Sequence, residues 1–150
     1  MNKLLFVCHG NICRSPMAEM VMKDMVRRLG IESEFVIESA ATSTEEIGNP
    51  VYPPARAELA RHGIKCEHRG ARQITKRDYV DYDLLIGMDS ANIRNMNRML
   101  GSDPDNKIHL LLEYTGKHRD ISDPWYSGNF TATYDDVVSG CEALLDYLGY

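Results

Sequence analysis

KLLFVCHGNICRSP, residues 3–16, decides how the rest of the chain is read. KLLFV, 3–7, is an unbroken apolar run of the length and type that forms a strand covered on both faces. Gly10 and Asn11 tolerate left-handed or otherwise sparse backbone conformations, so the chain can turn tightly directly after the strand. Ser15 then suits a helix N-cap and Pro16 a first helical position. Met17, Val21, Met25, Val26 and Leu29 make an apolar stripe of helical period, and Gly30 stops it. Strand, tight polar loop and helix together open a βαβ unit.

The pattern repeats along the chain. FVIES (35–39), YDLLIGM (82–88) and KIHLL (107–111) read as further strands. ARAELARHG (55–63) reads as a helix with a glycine stop, and SANIRNMNRML (90–100) as a helix capped by Ser90. A last helix spans about Thr133 to Leu148, with Val137, Val138, Cys141, Leu144, Leu145 and Leu148 as its apolar side. SAATSTEEIGNPVYPP (39–54) and ISDPWYSGNFT (121–131) read as connections. Strands alternating with helices predict an α/β fold: a four-stranded parallel sheet flanked by helices, in one domain over 1–150. Ligands of such sheets bind beyond the carboxyl ends of the strands, where the 8–15 loop and Asp89 both fall.

The chain of 150 residues, 43% hydrophobic, suffices for one domain with a real core. Its 17 basic and 22 acidic residues give a net charge of −5, so no overall basic field collects nucleic acid. The apolar run before Cys8 is too short for a signal peptide, and no window approaches a membrane span. Cytoplasmic residence without membrane attachment is the expectation, with export lacking a signal peptide left open. The four cysteines, Cys8, Cys13, Cys66 and Cys141, match neither a disulfide scaffold nor a two-pair zinc site.

The loop itself carries the chemistry. A tight turn through His9, Gly10, Asn11, Ile12 and Cys13 can point several N–H groups inward, and the following helix adds its positive end. The result is a cradle the size of one phosphoryl group. Arg14 can grip two phosphate oxygens with its planar fork. Cys8 lies at the base, where the field that holds an anion also favours a thiolate nucleophile. Ser15 can donate a hydrogen bond to that sulfur. A metal or redox pair of Cys8 and Cys13 is the rival reading. Four residues separate them, however, no second ligand pair follows, and His9 is awkwardly placed as a ligand.

VCHGNICRSP (7–16) resembles the signature of the low-molecular-weight protein tyrosine phosphatases. The likeness extends through SAATS (39–43), ARQITKRD (71–78), MDSANIR (88–94) and DPWY (123–126). It implies hydrolysis of protein phosphotyrosine through a phosphocysteine, without a metal or other cofactor. Tyrosine-phosphorylated proteins or peptides are the implied partners and inorganic phosphate the product. The implied roles are Cys8 nucleophile, Arg14 clamp, Asn11 loop shaper, Ser15 support, and Asp123 general acid and base. Independently of the family, a phosphate monoester needs its leaving oxygen protonated and then a water activated, and one carboxyl group can do both in turn.

Trp125 and Tyr126 either pack or wall the site for a planar ring; the resemblance implies the wall. Many relatives place a tryptophan at the opposite rim, where this chain has Glu45 followed by Glu46, which would repel acidic substrates. Asp89 reads alone as a helix-start acid, and the resemblance implies a supporting role. It also implies that His68 reaches the site, although one extra residue separates it here from Ala71. His9 stands where relatives often carry leucine.

Three other functions are compatible with parts of the pattern. Arsenate reductases of this fold need two later, closely spaced cysteines, which Cys66 and Cys141 are not. Protein arginine phosphatases carry threonine at the position of Ile12. A noncatalytic phosphate-binding module would need neither Cys8 nor Asp123.

Overall fold

The computed structural model describes all of residues 1–150. Four strands, β1 (Asn2–Cys8), β2 (Phe35–Ala41), β3 (Leu84–Gly87) and β4 (Ile108–Leu110), form one parallel sheet in the order β2-β1-β3-β4. Six helices accompany them: α1 (Arg14–Arg28), α2 (Pro53–Arg61), α3 (Lys76–Asp81), α4 (Ser90–Leu100), α5 (Pro124–Ser127) and α6 (Phe130–Tyr147). The predicted three-layer α/β architecture is therefore the observed one.

β1 is central, and Leu4, Leu5, Phe6 and Val7 are fully buried. Successive side chains of a strand face opposite ways. Leu4, Phe6 and Cys8 accordingly join a core with Met17 and Val21 of α1, Leu59 of α2 and Val137 and Leu144 of α6. Leu5 and Val7 join a second core with Leu85, Tyr82, Ile74, Ile108 and Met96 of α4. α6 comes unusually close to the segment after β4, because residue 140 is glycine: a Cβ there would lie 2.5 Å from Leu111 Cγ.

Chain order fixes where a ligand can enter. From β1 the chain moves to β2 on one side, then crosses to β3 on the other. The crevice between the carboxyl ends of β1 and β3 is thus a switch point, the standard ligand position of open parallel sheets.

Several local expectations need correction. α1 begins at Arg14, so Ser15 lies inside its first turn and caps nothing; its hydroxyl is used by the loop instead. α4 is capped by Asp89, whose side chain accepts from Asn92 N at 2.8 Å, rather than by Ser90. α2 starts at Pro53 and α6 at Phe130, each earlier than its apolar pattern indicated. The short helices α3 and α5 occupy segments that show too little periodicity to announce them.

Candidate active site

The loop from Cys8 to Cys13 is built by turning its carbonyls outward. Cys8 O accepts from Thr42 N at 3.0 Å, His9 O from Ser43 N at 3.0 Å, and Ile12 O from Tyr52 N at 2.9 Å. Asn11 O accepts from Arg69 Nη2. In a trans peptide the next N–H points opposite to the carbonyl. Outward carbonyls therefore leave the N–H groups that follow them facing the hollow, which is the arrangement an anion needs. Asn11 holds the corner with a left-handed backbone, φ +58°. Its side chain spans the loop base: Nδ2 donates to Ser15 Oγ at 2.8 Å and Ser39 Oγ at 2.9 Å, and Oδ1 accepts from Arg72 N at 3.3 Å.

Cys8 sits on the floor, 3% exposed. Its sulfur accepts from Asn11 N at 3.3 Å and lies 3.0 Å from Ser15 Oγ. Ser15 Oγ receives the Asn11 amide, so its own proton can go to the sulfur at 3.0 Å or to the more distant Ala40 O at 3.5 Å. Behind this layer Ser39 donates to buried Glu19 at 2.5 Å, and Glu19 pairs with Lys23 at 2.7 Å. Burial raises the Cys13 thiol to about 12, with the Cys8 charge adding to the effect. Cys13 is thus kept protonated beneath the loop.

Arg14 is fixed from the far side. Nη1 donates to Asp89 Oδ2 at 2.7 Å and to Ile121 O at 2.9 Å, while Nη2 lies 3.4 Å from Asp123 Oδ2. Burial alone would lower the guanidinium's pKa, but the Cys8 thiolate, Asp89 and Asp123 outweigh it and hold it above its ordinary value. Asp123 caps α5 by accepting from Trp125 N at 3.0 Å. Two bonds hold its segment: Ile121 N to Met88 O at 2.9 Å, just after β3, and Thr133 Oγ1 of α6 to Ser122 O at 3.1 Å.

Cys8, His9, Gly10, Ile12, Cys13, Arg14, Asp123, Trp125, Tyr126, Glu45 and Glu46 line one cleft. Trp125 leans on Tyr52 with ring centroids 4.8 Å apart, and Tyr126 is 85% exposed at the mouth. On the other rim His9 Nε2 lies 3.0 Å from Glu45 Oε2. Asn11 and Ser15 lie under the loop and Asp89 behind Arg14. His68 is different: it is exposed and lines no part of the cleft, and its neighbour Arg69 is the residue that reaches the loop. Glu46, named beside Glu45 from the sequence, does line the cleft. Sequence reading missed Ser39, Glu19 and Arg72; only SAATS and ARQ, within the family-like segments, pointed towards Ser39 and Arg72.

A thiol beneath a ring of inward N–H groups, an arginine held by carboxylates and a carboxylate over the mouth define a cysteine-dependent phosphatase site. The sequence profile described as low molecular weight phosphotyrosine protein phosphatase matches residues 3–149, and the chain belongs to that family. It is 39% identical to the low molecular weight protein-tyrosine-phosphatase YfkJ of Bacillus subtilis over 147 residues, covering 97% of this chain and 94% of that protein. Against the human low molecular weight phosphotyrosine protein phosphatase it is 41% identical over 148 residues, with 95% and 93% covered. The crystal structure of YfkJ superposes with a TM-score of 0.95 at 38% identity, covering 99% of this chain and 94% of that one. A Drosophila arginine phosphatase superposes at 0.89 with 30% identity, covering 100% and 99%, so the fold by itself does not choose the phosphorylated residue.

Proposed function

We propose that this chain hydrolyses phosphotyrosine in proteins or peptides through a phosphocysteine. The observation that carries it is the single cleft in which Cys8 lies on the floor, Arg14 at the side and Asp123 above, with an aromatic rim. The Cys8 thiolate attacks phosphorus in line with the departing tyrosine oxygen. Arg14 and the inward N–H groups hold the three equatorial oxygens, where charge is stabilised in the transition state. Asp123 gives its proton to the tyrosine oxygen as the P–O bond breaks. The resulting carboxylate then takes a proton from water, which attacks phosphorus, breaks the S–P bond and releases inorganic phosphate. Arg14 and the backbone dipoles supply the positive field throughout.

The rim narrows the substrate class. Glu45 and Glu46 face the mouth with His9 as the only potential cation on that side. Acidic residues flanking the phosphotyrosine are disfavoured by repulsion. A nucleophilic thiol also requires reducing surroundings, which supports a cytoplasmic enzyme.

Turnover of p-nitrophenyl phosphate in EDTA, with Cys8→Ser as control, tests the reading. Metal-independent turnover lost in Cys8→Ser, with phosphate trapped on Cys8 by rapid quench, is expected. Unchanged turnover in Cys8→Ser would reject the mechanism.

A further inference from the structure

Asn11 is the most constrained residue of the loop. A non-glycine residue at φ +58° is uncommon and persists only where its surroundings determine it. Each of its polar groups is engaged. The backbone N–H goes to Cys8, the side-chain amide to Ser15 and Ser39, and the side-chain oxygen to Arg72 N. Its carbonyl is bound by Arg69.

That last bond has a consequence for catalysis. The Asn11–Ile12 peptide has two polar ends. If its carbonyl points out to Arg69, the Ile12 N–H points into the cradle. If the peptide turned over, an oxygen would face the phosphate oxygens and a donor would be lost. The other carbonyls named above are held outward by backbone N–H groups of neighbouring segments. Only at Asn11 does the outward partner belong to a charged side chain. A guanidinium stays protonated in proteins, and hydrogen bonds to charged groups are stronger than neutral ones.

The neighbourhood explains how Arg69 gets there. Its Nη1 also donates to Asn49 O at 3.4 Å, so the guanidinium joins the loop to the 46–52 connection. The next residue, Gly70, passes so close to Gly48 that a Cβ on it would lie 2.9 Å from Gly48 O. Ala71 and Asn49 are joined beside this crossing by Ala71 N to Asn49 O at 2.8 Å. Burial lowers the guanidinium's pKa, while the charges of Glu19, Cys66 and Cys8 oppose that shift. The charge therefore lies behind the loop and towards the nucleophile, while the side chain stays outside the cleft.

We infer that Arg69 is a positioning residue of the phosphate cradle: it holds the Asn11 carbonyl outward and thereby keeps the Ile12 N–H aimed at the phosphoryl group. This rests on the reading of the loop as the phosphate site. Arg69 touches neither substrate nor reacting atoms; it acts through one peptide plane.

The test compares the parent with Arg69→Met, Arg69→Gln and Arg69→Lys, measuring p-nitrophenyl phosphate kinetics, inhibition by inorganic phosphate and unfolding midpoints. Arg69→Met and Arg69→Gln are expected to weaken phosphate inhibition and lower kcat/KM, each by about ten-fold, the scale of losing one charge-assisted bond. Arg69→Lys should recover part of both losses, since an ammonium can reach one carbonyl but lacks the planar fork. If Arg69→Met does not fold, Arg69→Gln carries the same comparison. Unchanged phosphate inhibition and kcat/KM in the folded variants, even with a lowered unfolding midpoint, would make Arg69 a structural tie only and overturn the inference. A parent that neither binds phosphate nor turns over the ester would overturn the underlying reading as well.

Discussion

Arg14 and Asp89 form an ion pair at 2.7 Å in which the arginine side chain is 3% exposed and the aspartate 20%. Asp89 does two things at once, because the same carboxylate caps α4 through Asn92 N. Two substitutions separate them. Asp89→Asn keeps a good cap but loses the charge, so stability should change little while kcat/KM falls about ten-fold as Arg14 loses its orienting partner. Asp89→Ala should lose the same activity and a further ~1 kcal/mol of stability, the usual worth of an N-cap. Steady-state kinetics with chemical unfolding checks both. Equal stability loss in the two variants would assign the whole effect to the ion pair.

Asp123→Asn should slow release of an aryl leaving group by roughly 10²-fold or more, the scale of general acid–base assistance. The asparagine can still accept from Trp125 N and so keeps the turn into α5. The loss should shrink as the leaving group becomes more acidic, because a good leaving oxygen needs no proton. Phenyl and p-nitrophenyl phosphate kinetics read this directly. Identical losses on both esters would make Asp123 a structural cap.

Much of this site was legible because its signal is contiguous. Strand, loop and helix from Asn2 to Arg28 follow one another, and each carries its own local pattern. What escaped depends on contacts far apart in sequence. Ser15 looks like a cap beside Pro16, but the chain enters α1 two residues earlier, at Arg14, and the Ser15 hydroxyl is engaged by Asn11 and Cys8. Asp89 and Ser90 are adjacent and equally suited to cap; the hydrogen bonds to Asn92 fall to Asp89. His68 and Arg69 differ by one position, and which of them meets the loop is settled by the crossing of Gly70 over Gly48. No periodicity records such a crossing.

Oxidation provides a further expectation. Peroxide converts the Cys8 thiolate to a sulfenic acid, and attack by Cys13 sulfur then forms the disulfide and expels water. Burial and the Cys8 charge hold the Cys13 thiol at about 12 in the reduced protein. Once Cys8 is a neutral sulfenic acid the second cause disappears, and Cys13 loses its proton more readily. Peroxide should inactivate, a thiol reductant should restore, and inorganic phosphate in the cradle should protect. Peptide mass spectrometry should find a Cys8–Cys13 link, and Cys13→Ala should recover less completely. Full recovery in Cys13→Ala, with no link in the parent, would leave Cys13 a packing residue.

Acid stability should depend on Glu58. It is buried, yet accepts from Arg61 at 2.5 Å, His62 at 2.8 Å and Thr131 at 2.9 Å, which ties α2 to α6. Burial would raise its pKa, but these three bonds outweigh it and hold it below the ordinary 4.5. A depressed carboxylate stabilises the fold above its unfolded value, and the contribution disappears as pH falls through the folded one. Glu58→Gln should therefore cost about 1–3 kcal/mol near neutral pH, and its gap from the parent should close below pH 4.5. Urea unfolding across that range checks the sign; a gap that widens with acid would contradict it.

The choice of phosphorylated residue follows from depth. Cys8 is 3% exposed on the floor, whereas Trp125 is 52% and Tyr126 85% exposed at the mouth. A planar ring can span that distance while resting against Trp125, which Tyr52 and, behind it, Phe130 hold in place at centroid separations of 4.8 and 6.1 Å. The short arm of phosphoserine or phosphothreonine is expected to leave phosphorus short of the sulfur once the peptide backbone meets the rim. Phosphoarginine is long enough, but Ile12 presents an apolar side chain in the cleft where a guanidinium needs hydrogen-bond partners. Matched peptides differing only in the phosphorylated residue should rank phosphotyrosine first by kcat/KM. Trp125→Ala should reduce that preference by about ten-fold, the scale of one aromatic contact and its buried area, and leave p-nitrophenyl phosphate less affected. If the parent turns over phosphoarginine or phosphoserine as well as phosphotyrosine, the tyrosine assignment fails while Cys8, Arg14 and Asp123 keep their roles. If Trp125→Ala changes stability but not the ranking, the ring is packing on Tyr52 and depth alone sets the choice.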